Sequence, residues 1–242
     1  MPASRENKSA AREDSAVVLK VSDLAVSAGG RNLYEAVAFD LSPGERLAIA
    51  GPSGSGKTTL LRLLAGLISA ERGELRLQGQ TIAAVGYPQW RRRVVLLQQR
   101  PVMLDADVHT NLAFPFEFAT APGPWPRAQV SAWLAELGLD LAAIAAQQAR
   151  DLSVGEQQRL ALVRALSLQP AVLLADEPTS ALDAPTAAAV EALLLRRCAE
   201  AELACVVVSH DQPWLSRFCS RRLDLRPAEG PQPALEDAHG QP

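Results

Sequence analysis

The chain has 242 residues, 48% of them hydrophobic, and a formal net charge of -3 at pH 7. Such a length supports one large domain or two small ones, and the apolar fraction is enough for a full core. The balance of charge offers no basic field to nucleic acid or anionic lipid, so no nucleic-acid partner is expected.

The opening stretch MPASRENKSAAREDS is polar and lacks the apolar h-region of a signal peptide, which predicts a disordered arm over residues 1–16. Short apolar runs follow at VVLKV (Val17 to Val21), LAIAG (Leu47 to Gly51), VVLL (Val94 to Leu97), AVLLAD (Ala171 to Asp176) and ACVVVSH (Ala204 to His210). Near-continuous runs of this kind predict strands of a parallel sheet covered on both faces. After Lys57, Leu60, Leu63, Leu64 and Leu67 fall on one helical stripe, with Gly66 near its end. GELRLQGQTI (Gly73 to Ile82) alternates and predicts a small antiparallel layer. From about residue 100 to 169 a Pro-rich loop gives way to helical patterns, with Trp133, Leu134 and Leu137 on one face, so a helical subdomain is inserted into the α/β core. The main domain is expected over 17–225, and the Pro-, Gly- and acid-rich stretch 226–242 as a flexible tail.

No stretch of about 18 apolar residues is uninterrupted, so the chain is not expected to span a membrane and is placed in the cytoplasm. Cys198, Cys205 and Cys219 are an odd set without CxxC spacing. They read as reduced thiols in or near the core rather than as a disulfide framework or zinc site.

GPSGSGKTT (Gly51 to Thr59) matches GxxxxGK[ST] and lies between an apolar strand and an amphipathic helix, as a phosphate loop requires. Gly51, Gly54 and Gly56 let the backbone curl so that successive N–H groups point inward, and Gly51, Pro52, Ser53, Gly54, Ser55, Gly56, Lys57, Thr58 and Thr59 are expected to line the nucleotide. Lys57 reaches the β- and γ-phosphates, and Thr58 offers a hydroxyl to Mg²⁺. Asp176 and Glu177 end the AVLLADEP strand: the first is expected to hold Mg²⁺, the second to polarise the attacking water. The expected cofactors are ATP and Mg²⁺.

LSVGEQQR (Leu152 to Arg159), ahead of that strand, is similar to the LSGGQ signature of ABC ATPases. The resemblance continues through SALD (Ser180 to Asp183), VVVSHD (Val206 to Asp211) and WRRRVVLLQQRP (Trp90 to Pro101). These motifs, in family order, cover roughly Val17 to Leu225. The fold implied is the ABC ATPase fold: a P-loop NTPase core with a mainly parallel sheet, a small antiparallel β layer and the inserted helical subdomain. The resemblance further implies that His210 contacts the γ-phosphate, that Gln99 touches Mg²⁺ or the attacking water, and that Asp183 lies across a dimer interface. It makes the partners a membrane permease subunit and a second copy of the chain, with the protein peripheral on the inner face of the cell membrane. A soluble, non-transport ABC ATPase is the alternative.

Ser153 and Glu156 form an SxxE capping box, so a capped helix begins there whatever else is true. The resemblance adds that Ser153, Gly155 and Glu156 face the nucleotide of the other copy. Capping gives no reason for Gly155, a poor helix former. The three arginines Arg91, Arg92 and Arg93 read as a solvated lead-in to a strand.

Two departures stand out. The usual adenine-stacking aromatic has only Val26 or Ala28 near its register, Tyr34 falling on a core position, which predicts poor discrimination between ATP and GTP. The signature also carries Val154 where glycine is usual and Glu156 where glutamine is usual, the glutamate being tolerated by its capping role. Finally, WRRRVVLLQQRP with NLAFPF (Asn111 to Phe116), the short length and the lack of a C-terminal regulatory domain resemble the iron-export type of ABC ATPase.

Overall fold

A computed structural model describes residues 17–28, 31–201, 203–225 and 236–237. In chain order the first strands are β1 (Leu19–Ala28), β2 (Arg31–Leu41) and β3 (Arg46–Ala50), which runs into the first helix, α1 (Lys57–Leu64). The hairpin β4 (Arg72–Leu77) and β5 (Gln80–Thr81) is followed by α2 (Ile82–Val85), α3 (Tyr87–Arg93) and β6 (Val94–Leu97). Four helices come next: α4 (Val108–Ala113), α5 (Arg127–Glu136), α6 (Leu141–Ile144) and α7 (Val154–Ser167). Then β7 (Val172–Asp176), α8 (Ala184–Ala201), β8 (Ala204–Val208), α9 (Gln212–Phe218), β9 (Arg221–Asp224) and β10 (Glu236–Asp237) follow.

Every residue of β7 and β8 is buried. Strands with no wet face belong in the middle of a sheet covered on both sides. They lie there: the larger sheet runs β10-β9-β3-β8-β7-β6, parallel from β9 to β6, with β10 antiparallel at one edge. Successive residues feed opposite cores. Leu173, Ala175, Cys205 and Val207 pack with α5, α7 and α8, while Val172, Leu174, Val206 and Val208 pack with α1 and the second sheet.

That second sheet is antiparallel, in the order β2-β1-β4-β5. It corrects one expectation, because VVLKV belongs to it and not to the parallel sheet. Leu19 and Val21 are buried while Lys20 between them is exposed, the alternation of a strand with one wet face. The stripe after Lys57 also ends early. Helix α1 stops at Leu64, Gly66 adopts φ +67, and Leu67 beyond it is 48% exposed. A left-handed glycine just past the last turn is the usual way to end a helix.

Trp133, Leu134 and Leu137 pack onto Leu160, Val163 and Leu166 of α7, so the inserted helices share a core with one face of the parallel sheet. The three cysteines are free and buried. Among the described residues no helix is long and apolar enough to cross a membrane. The expected arm over 1–16 lies outside the described residues, as does the expected tail except for Glu236–Asp237, which pairs with β9.

Candidate functional site

Strands β3, β8 and β7 are neighbours, and their carboxyl ends deliver Gly51, His210 and Asp176 to one edge of the sheet. In open α/β sheets this is where ligands bind. Gly51 (φ +150) leaves β3 so close to Leu225 that a Cβ would stand 2.6 Å from its carbonyl oxygen, and Gly56 (φ +89) would push a Cβ to 3.1 Å from the Tyr34 ring. Glycine is thus required at both ends of the loop. Pro52, Ser53 and Gly54 form its exposed crest, and Ser55 is buried with its hydroxyl unpaired.

Gly56 precedes α1 with no side-chain cap, which leaves the first-turn amides, those of Thr58 and Thr59 among them, for an outside acceptor. The Lys57 ammonium donates to the carbonyls of Gly51 and Pro52, at 2.8 and 2.9 Å. The Thr58 hydroxyl donates to Asp176 Oδ2 at 2.8 Å. The far end of α1 is fastened by α3. Trp90, fully buried, donates its indole N–H to Leu64 O at 2.8 Å, and Arg91 donates to Gly66 O. With Arg92 on Leu168 O and Arg93 on Gln78 Oε1, the three arginines tie loops together.

Glu177 follows with φ +53, a conformation that costs a residue with a side chain about 1 kcal/mol or more. Three bonds from other segments hold it. Its N–H donates to Val208 O at 2.8 Å, Gln158 of α7 donates to its carbonyl at 2.8 Å, and Ser209 donates to Oε2 at 3.1 Å. The second carboxylate oxygen, Oε1, is buried and accepts no hydrogen bond, with His210 Nε2 at 3.7 Å. The His210 side chain is itself 76% exposed. The structure thereby joins Thr58 to Asp176, holds Lys57 on the loop carbonyls, and brings His210 near Glu177. It does not join Gln99 to them: that residue is exposed two positions past β6 and makes no hydrogen bond among the described residues.

The signature forms the start of α7. Ser153 Oγ accepts from the Glu156 N–H at 3.3 Å and Glu156 Oε2 accepts from the Ser153 N–H at 2.8 Å, which is the predicted capping box. The Ser153 hydroxyl and N–H bonds hold the Glu156 carboxyl below its usual pKa. Gly155 has a reason within the chain that capping did not supply. A Cβ there would meet Ala181 O at 3.1 Å and Leu182 at 3.4 Å, so α7 rests against the SALD loop. Val154 beside it is 58% exposed. Asp183, also exposed, accepts from the Thr186 N–H at 2.9 Å and so caps α8, a bond that lowers its pKa.

Of the two candidates for stacking on a base, Val26 is buried and pairs with Tyr34 across β1 and β2, while the side chain of Ala28 lies outside the described residues. Tyr34 is fully buried, which raises its pKa, and it packs under Gly56 as the core position predicted. Sequence reasoning passed over Gln158 and Ser209. The first could have been flagged as a polar residue four positions before buried Leu162 on the same helix face.

The family model described as ABC transporter matches residues 34–180. The chain belongs to the ABC transporter ATP-binding family. Among its relatives, the Fe(3+) ions import ATP-binding protein FbpC 2 of Rhodococcus jostii (strain RHA1) is 38% identical over 209 residues, covering 84% of this chain and 58% of that protein. The sulfate/thiosulfate import ATP-binding protein CysA of Xylella fastidiosa (strain 9a5c) is 40% identical over 177 residues, covering 72% of this chain and 50% of that protein. The matches thus span only 58% and 50% of the length of these curated relatives. A solved ATP-binding cassette, captured as a dimer in a post-hydrolysis state with ADP and Pi, matches with a TM-score of 0.78 at 27% identity. That match covers 92% of this chain and 100% of the other, and the fold is the ABC ATPase fold. The two relatives carry import names, so the resemblance to the iron-export type finds no support in them.

Proposed function

We propose that the chain binds ATP at the phosphate loop and hydrolyses it to ADP and phosphate, powering import through a separate membrane permease at the inner face of the cell membrane. One observation carries the reading: at the end of β7 the two carboxylates are divided, Asp176 being committed to Thr58 while Glu177 keeps a buried oxygen free. The first can serve a cation and the second can take a proton.

The loop amides and the uncapped start of α1 receive the phosphates, and Lys57 has only to leave two backbone carbonyls to add its charge. Thr58 and Asp176 already lie within 2.8 Å of each other as an all-oxygen pair, which suits Mg²⁺, and Gln99 would complete their set. An ion held by these oxygens would supply positive charge against the charge that develops on the β- and γ-phosphates. Glu177 Oε1 accepts a proton from water as the water oxygen forms its bond to the γ-phosphorus. The bridging P–O bond breaks, and ADP leaves with the electron pair. We assign His210, exposed beside the same carboxylate, to contact with the γ-phosphate, a reading supported by its 3.7 Å approach to Glu177 Oε1.

Ser153, Gly155, Glu156 and Asp183 take no part in that chemistry within one chain. We assign them to the nucleotide held by a second copy, in an ATP-sandwich dimer, a reading supported by their exposed or half-buried position. The inserted helices would carry the motion to the permease. The import names of the relatives favour import over export, and their differing cargoes leave the cargo to the permease. Glu177→Gln tests the chemistry: it keeps the side chain's reach but removes the base. ATP binding, followed by filter retention, should persist while turnover falls roughly 10²- to 10⁴-fold. Turnover near the wild-type rate would place the base elsewhere.

A further inference from the structure

Gln158 is 1% exposed, and its amide does one visible thing: Nε2 donates to the Glu177 carbonyl oxygen at 2.8 Å. Its own oxygen, Oε1, is buried and accepts nothing among the described residues. A leucine or methionine would fill the same space without stranding an acceptor away from water, which is a costly arrangement. Packing therefore accounts for the volume of Gln158 but not for its amide.

The Glu177 carbonyl has other donors, the N–H of Ser180 at 3.3 Å and its hydroxyl at 3.1 Å. Both belong to the loop that Glu177 begins and move with it. Gln158 is the donor that comes from another element, and its bond is the shortest of the three. It also sits one helical turn along from Gly155, whose contact with Ala181 brings the same loop against the start of α7. At Glu177 the peptide is left-handed, so a small rotation of that carbonyl swings the carboxylate.

We propose that Gln158 is a positioning residue for the hydrolytic reaction: by clamping the Glu177 carbonyl to α7 it fixes the left-handed backbone and so aims Oε1 at the attacking water. The inference rests on Glu177 being the general base. It makes the aim of that base depend on where α7 sits, so a shift of the signature helix is felt at the catalytic carboxylate of the same chain. Ser209 steadies the side chain and Gln158 the main chain.

The test is a double-mutant cycle on the full-length chain with Mg-ATP, comparing wild type, Gln158→Leu, Glu177→Gln and the double variant. Single-turnover rates, KM and thermal midpoint are recorded for each. Misplacing a catalytic group by about 1 Å costs up to roughly 100-fold, so Gln158→Leu should lower kcat by about 10- to 100-fold with KM and ATP binding unchanged. In the Glu177→Gln background the same substitution should add almost nothing. A folded Gln158→Leu with wild-type kcat, or an equal loss in both backgrounds, overturns the proposal. A rise in KM that accounts for the whole effect does so too. If Gln158→Leu does not fold, Gln158→Met, which fills a similar volume and has no donor, is read by the same criteria. Failure of the underlying assignment looks different, since Glu177→Gln alone would then turn over normally.

Discussion

Two helices begin at the candidate site, and their first turns are built in opposite ways. Helix α1 starts after Gly56, which has no side chain to offer, and the structure gives that terminus no side-chain cap. Helix α7 starts after Ser153 and is closed by a reciprocal box with Glu156. Four amides go unpaired at any helix start, and they must be satisfied by a side chain, by water or by a ligand. An end left open near a lysine and a threonine is prepared for an anion, whereas the box at α7 takes up the Ser153 and Glu156 amides and leaves those of Val154 and Gly155 without a capping side chain. One helix start is thus held by its own side chains and the other is not.

The largest break in that contrast should come from the other end of α1. Trp90 fills the space under Gly66 and donates to the Leu64 carbonyl, so it closes the helix whose start is open. Trp90→Ala removes both the packing and the bond, and a loss of about 3–5 kcal/mol is expected from chemical denaturation. A loss under 1 kcal/mol would mean that α1 is held by its own stripe alone. Next in size is Lys57→Ala. Its ammonium rests on exposed or half-exposed carbonyls, so stability should hardly change, but ATP affinity measured by calorimetry should fall by about 1.5–3 kcal/mol, the worth of a charged hydrogen bond. An unchanged affinity would remove Lys57 from the site.

Legibility followed the same division. The P-loop, the paired acids and the capping box are each local patterns in which a few adjacent residues decide the outcome; the structure forms the box, and Thr58 meets Asp176 across 118 positions, a contact expected because both motifs offer an oxygen to the same ion. What stayed hidden are contacts with no such motif to announce them. Ser209 meets Glu177 from 32 positions away and Gln158 from 19, and nothing local to either residue announces the other. The same limit explains VVLKV, whose three leading apolar residues look fully buried until the partner strands fix which face is wet. Gly155 shows a third kind of miss, because its motif was plain while its packing against Ala181 belongs to a loop read for another purpose.

Sharpening the contrast from the side of α7 calls for Ser153→Ala. With the capping oxygen gone, the Glu156 N–H loses its acceptor, and the chain without nucleotide should lose about 1 kcal/mol in denaturant unfolding. No substitution of Gly56 can remove a comparable bond from α1, since none is present. If Ser153→Ala left the free chain untouched, the box would not be stabilising α7 in the absence of nucleotide.

The smallest effect is the dependence of that cap on pH. Bonds from the Ser153 hydroxyl and N–H hold the Glu156 carboxyl below the ordinary glutamate value, so the folded chain binds its proton less readily than the unfolded chain does. The sign follows: the contribution is fully present above the unfolded value of about 4.3 and fades as pH falls through the lower folded value. Because the group is largely solvated, the change should be smaller than the loss of about 1 kcal/mol on removing Ser153. Comparing wild type with Glu156→Gln isolates it. The glutamine variant should be the less stable of the two at neutral pH, and the gap should narrow as the solution is acidified below about pH 4.3. Chemical denaturation at a series of pH values reads it directly, and a gap that widened in acid would mean that Glu156 does not act as a carboxylate in the cap.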